Sequence, residues 1–210
     1  MCSRQGSVGA ALCGRPVFGG RYSAREAGRP HRAAPTWVLI GLLAASAPAA
    51  GKVFLTVDEA LKLAFPGCEV ARRTAFLKPE QVQRAREFSG AEMPSALVNY
   101  YVASRNGQPA GTAWFDTHRV RTLPETLMIV VDPQGRVGRI EVISFREPED
   151  YLPRGAWYDQ QFRGKALDPG LQLKRDIRPV TGATLTARAT TDAVRRVLAL
   201  HRILIGAGKP

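Results

Sequence analysis

The apolar positions of this 210-residue chain change their spacing twice. Between residues 56 and 88 they recur with the period of a helix that buries one face. Thr56-Val57-Asp58-Glu59 places a hydroxyl three residues before a carboxylate, the pattern of a capping box. It predicts a helix through Ala60, Leu61, Leu63, Ala64 and Phe65, stopped by Pro66-Gly67. Pro79 at a first helical position and Gly90 beyond the end frame a second helix over 79–88. From Leu97 the period becomes two. Leu97 to Ser104 and Ala110 to Asp116, joined at Asn106-Gly107, predict a β-hairpin. Leu127 to Val131 and Val137 to Phe145, joined at Asp132 to Gly135, predict another. Residues 146–179 are rich in Pro, Gly and aromatics and read as irregular. Helical spacing returns over 185–204, with Ala189, Ala193, Val197, Leu200 and Leu204 on one face.

That order predicts an α+β fold: a mostly antiparallel sheet of two or more hairpins, packed by helices. Three segments are expected: a leader over 1–49, an N-terminal helical segment over 50–95 and a single domain over 96–205. The roughly 160 residues after the leader suffice for one hydrophobic core.

The leader rests on charge and hydropathy together. Residues 1–32 hold six Arg and one Glu, and Trp37 to Ala50 is apolar. Ala47-Pro48-Ala49 completes a secretory signal pattern, with cleavage expected after Ala49. The basic region is long for a signal, which allows a start downstream of Met1. The apolar stretch is ~14 residues against the roughly 20 that span a bilayer. An inner-membrane anchor is therefore the alternative to cleavage. Either way the domain is expected on the extracytoplasmic side, in the periplasm.

Composition narrows the chemistry. The formal charge is +12, and removing six arginines and one glutamate with the leader lowers it to about +7. Arg72-Arg73, Arg119, Arg121 and Arg195-Arg196 are scattered, and no nucleic-acid motif accompanies them. They read as a solvated surface, with an acidic partner or a membrane surface as the functional alternatives. Cys2 and Cys13 lie in the leader, so Cys68 alone excludes an internal disulfide or a cysteine metal quartet from the mature domain. Cys68 is expected to be a buried apolar residue. No Ser/His/Asp set, histidine metal spacing or Walker loop is present.

The remaining motif is Thr181-Gly182-Ala183-Thr184-Leu185-Thr186, just before the last helix. The first N–H groups of a helix have no internal partner and attract anions, phosphate above all. Gly182 and Ala183 leave room for such a guest, and the three threonines supply hydroxyls. Helix capping alone explains the same residues.

The hexapeptide resembles the flavinylation motif of the FMN-binding domain family. That family includes flavinylated subunits of the sodium-translocating NADH:quinone reductase and of the Rnf complex. The resemblance extends over Leu97 to Leu204. It takes in the strand Gly138 to Ser144, Glu147-Pro148 where the family has Glu-Thr, and Trp157…Phe162-Arg163-Gly164-Lys165. Arg178 stands where the family has an acidic residue, with Asp176 two positions before it.

The resemblance implies FMN as the cofactor, joined to Thr184 through a phosphoester. Thr181, Gly182, Ala183, Leu185 and Thr186 are then expected around the phosphate. Lys165, or the nearby Arg178, would neutralise it. Glu147 to Lys165 would close over the flavin, and Arg121 to Thr126 would line its ring. Trp157 and Tyr158 are candidates to shield the ring or for plain packing. His118 is a candidate proton relay or a structural residue. The function implied is an extracytoplasmic electron carrier, more an electron-transfer protein than an enzyme with its own substrate. It would be served by a flavin transferase and a membrane-bound or periplasmic redox partner. The alternatives are a redox-silent binding module of the same fold and an oxidoreductase with non-covalent FMN.

Overall fold

A computed structural model describes residues 52–206. The expected leader lies outside the described residues. Six antiparallel strands form one sheet in the order β1-β6-β5-β4-β3-β2. They are β1 (Lys52–Val53), β2 (Glu69–Phe76), β3 (Leu97–Arg105), β4 (Gln108–Arg119), β5 (Pro124–Val131) and β6 (Val137–Phe145). The helices are α1 (Val57–Ala64), α2 (Pro79–Ser89), α3 (Gly155–Phe162) and α4 (Thr184–Leu204). The α+β class, both hairpins and the expected helices are all present.

Strand β5 explains how the layers are held. Leu127, Ile129 and Val131 belong to the larger core, with Trp114 of β4 and Val194, Val197 and Leu198 of α4. Met128 and Val130 alternate with them and join Ala60, Leu61 and Phe65 of the α1 region on the other face. A strand buried on both faces reads as a continuous apolar run, as Leu127–Val131 does. Each such side chain contributes about 1.5–3 kcal/mol on burial.

Besides the two-residue β1, two longer elements escaped the sequence reading. Strand β2 separates the two N-terminal helices and pairs with β3 from Glu69↔Ser104 to Phe76↔Leu97. It is exposed along nearly its whole length, and Phe76 is 78% exposed. An edge strand that buries nothing carries no alternation of apolar residues to read. Helix α3 lies within the supposed irregular region; its signal was Tyr158 and Phe162, four apart and both buried.

Two expectations about single residues are corrected. Cys68 is half-buried at the margin of the smaller core, not fully buried. Arg195 and Arg196 are buried, not solvated. Arg195 donates to the carbonyls of Ser89 (2.5 Å), Asp168 (3.1 Å) and Leu171 (2.9 Å), joining α4 to the end of α2 and to the 168–171 turn. α4 packs against α2 as well as the sheet, so its buried surface is wider than the single face the sequence marks.

Candidate cofactor site

The start of α4 lies at the end of the sheet where β4 stops and β5 begins. Ala183 is its N-cap residue, and no side chain caps the helix. The first backbone bond within it runs from the Ala187 N–H to the Ala183 carbonyl. The N–H groups of Thr184, Leu185 and Thr186 come before that bond and are left for a guest. Capping therefore does not account for the threonines.

The three hydroxyls differ. Thr186 is fully buried and donates to the Tyr151 carbonyl at 2.6 Å. Thr181 is exposed but does not line the slot formed here. Thr184 is exposed, lines the slot, and makes one contact of 3.2 Å to the Val180 carbonyl. Gly182 has φ +83°, a conformation that costs other residues. Nothing lies within 4 Å of a Cβ built on it, so the backbone, not crowding, calls for glycine. Ala183 is buried, and Leu185 remains 47% exposed beside the slot.

The slot has a volume of about 170 Å³. Its opposite wall is Val120, Arg121 and Tyr151, and the Arg121 guanidinium lies 5.3 Å from the centre of the Tyr151 ring. A neighbouring groove of about 230 Å³ also touches Val120 and Leu185, and continues past His118 and Arg188. Apolar walls, one arginine and free helix N–H groups suit a phosphate carrying a flat ring system.

Glu147 shapes this wall without lining it. Its Oε1 accepts from the N–H groups of Thr122 (2.7 Å), Leu123 (2.8 Å) and Arg121 (3.3 Å). Those bonds, Leu123 first and Thr122 next, hold its carboxyl below the usual carboxylate range. Glu147→Ala should strand these donors, costing about 1–3 kcal/mol. It should also slow flavin loading, while Glu147→Gln keeps an acceptor and loses less. Denaturant unfolding and a loading time course check this; an alanine variant that loads at the parental rate would mean that Glu147 does not shape the slot.

Five other expected residues lie elsewhere. Lys165 is at the far end of β6, where its carbonyl accepts from the Val137 N–H, so it does not meet the slot. Arg178 is tied to α3: its N–H donates to Gln161 and its carbonyl accepts from Trp157. Thr126 hydrogen-bonds Thr117 across the β4–β5 ladder and lines a different cavity. Trp157 and Tyr158 pack with Phe162 in the larger core. Arg121 is the arginine that lines the slot, from the one part of the 121–126 loop that reaches it.

His118 belongs to a buried charged network. Its ring nitrogens meet Asp116 at 2.9 Å and Glu125 at 3.1 Å, and Arg196 donates twice to Asp116 at 2.8 Å. Burial opposes the charge on His118, but bonds to Asp116 and Glu125 overcome it and raise the imidazole to about 9. Burial also opposes the charge on Asp116, and His118 and Arg196 outweigh it, lowering the carboxyl to about 2. A histidine held charged in this way is a structural ion-pair member.

The family model described as the FMN-binding domain matches residues 123–199. The chain carries an FMN-binding domain. FMN is its cofactor, and the protein is a flavin-binding protein. The match takes in β5, β6, α3 and all but the last residues of α4. Thr184, the helix start and Glu147 therefore lie inside the FMN-binding domain, while Val120 and Arg121 complete the slot from just before it. No curated protein and no solved structure matches the chain.

Proposed function

We propose that this protein is an exported electron carrier whose FMN is esterified to Thr184. The observation that carries the reading is the sorting of the three hydroxyls: among Thr181, Thr184 and Thr186, Thr184 alone is both exposed and in the slot. The helix N–H groups and Arg121 would hold the phosphate; Val120, Tyr151 and Leu185 would flank the ring. FMN supplies the redox chemistry, and these residues bind it, orient it and limit water around it. Attachment replaces the Thr184 O–H bond with an O–P bond. A flavin dinucleotide is the fitting donor: its pyrophosphate bond breaks, and the nucleotide and the hydroxyl proton leave. A flavin transferase would catalyse that step.

The basic, apolar and small-residue order of 1–49 supports export. Among the described residues no helix is long and apolar enough to cross a membrane. A covalent tie suits an exported protein, which cannot recover a lost cofactor from the cytoplasm. Its redox partner would be membrane-bound or periplasmic. N-terminal sequencing of periplasmic material should begin near Ala50; a membrane-bound product that keeps Trp37 would point to an anchor. Peptide mass mapping after co-expression with a flavin transferase tests the attachment itself, and loss of the flavin on denaturation would favour non-covalent binding.

A further inference from the structure

We propose that the fork between β3 and β4 is a second binding site, for a small apolar molecule bearing one anionic group. The ladder between these strands stops at Tyr100↔Trp114 although both strands run on. Beyond that pair, Leu97 to Asn99 is bonded to β2 alone, and Phe115 to Arg119 to β5 alone. Two facing strand edges therefore part and leave N–H and C=O groups without ladder partners.

The gap is a cavity of about 400 Å³, more than twice the slot at Thr184 and within the range of small-molecule sites. The two sites share no residue. Tyr101, Trp114, Phe115, Ile143, Val197 and Leu200 supply apolar walls. Trp114 is only 1% exposed, so the cavity reaches a side chain of the larger core.

Charge selects the head group. Arg196 and Asp116 both border the cavity, but they are bonded to each other and cancel. Arg72 also borders it, and among the described residues Arg72 makes no ion pair. It stands beside Tyr101 across the β2–β3 ladder, leaving one uncompensated positive charge on an aromatic wall. An aromatic monocarboxylate matches both features: its ring fills the apolar gap and its carboxylate meets the guanidinium.

Calorimetric titration of the full exported protein with naphthoate, and with naphthamide as the uncharged control, tests this. One naphthoate per chain is expected. Arg72→Gln should weaken naphthoate about tenfold and leave naphthamide unchanged, since a charge-assisted bond is lost without altering the walls. Thr117→Trp and Leu97→Trp place bulk in the gap from exposed positions and should each block both probes. Circular dichroism confirms that the variants fold. Absence of saturable binding overturns the proposal, as does unchanged binding in either folded tryptophan variant. Equal naphthoate affinity in the parent and Arg72→Gln overturns the anionic assignment.

Discussion

Thr184→Ala is expected to abolish covalent flavin while the protein stays folded. The variant removes the acceptor oxygen. It also removes one exposed 3.2 Å contact to the Val180 carbonyl, and no helix cap, because Thr184 caps nothing. A cost of at most about 1 kcal/mol follows, small against a typical domain stability. Thr181→Ala should lower loading in part. Thr186→Ala should act differently: it breaks a buried 2.6 Å bond to Tyr151, so it should cost stability and loosen the slot together. Intact mass and peptide mapping after co-expression with a flavin transferase read all three. Flavin mass found on Thr181 or Thr186 would refute the assignment to Thr184; no added mass in the parent would return the protein to non-covalent FMN.

Arg196→Met is expected to be strongly destabilising, at about 3–5 kcal/mol, because it takes both guanidinium bonds from Asp116, a carboxylate only 11% exposed that then keeps His118 alone. The same network sets a pH dependence. His118 lies above its ordinary 6.5, at about 9, so its contribution is full below 6.5 and fades as the pH rises toward 9. Asp116 lies below its ordinary 3.8, at about 2, so its contribution is full above 3.8 and fades as the pH falls toward 2. His201 runs the other way: burial holds it below 6.5, and it costs stability as the pH drops under that value. Among the described residues, His118 is the group raised into the limb between pH 6.5 and 9. Denaturant midpoints across that range should fall in the parent and flatten in His118→Gln. A parent curve that is level there would show that His118 is not charged in the fold.

The sequence made most of the scaffold legible where burial imposes a period. Both hairpins, α1 with its capping box, α2 and α4 could be read because at least one face of each meets a core. β2 could not, because it meets none. Arg195 and Arg196 were hidden for the opposite reason: they sit in the helical layer, where backbone carbonyls and Asp116 satisfy them, and composition alone places arginine outside. At the site, local motif and distant partner parted company. Thr184 and the helix start belong to one contiguous hexapeptide and were visible. Arg121 and Tyr151 lie in the two segments, 121–126 and 147–165, that the resemblance set beside the flavin, but only the sheet order singles them out as the residues that reach the slot. Lys165 was misplaced because position along the chain carries no information about which end of a strand it abuts.

Strand β2 has a bearing on how the molecule behaves in a crowd. It offers eight residues of open backbone edge, exposed along nearly all its length, with no proline to interrupt it. Such an edge is a template for another chain. A second copy pairing with it about a two-fold axis at the strand's centre would set Arg72 of each against Arg73 of the other. Like charges directly opposed in a ladder work against pairing. The two arginines thus act as a guard against self-adhesion along the longer border of the sheet that packing leaves open.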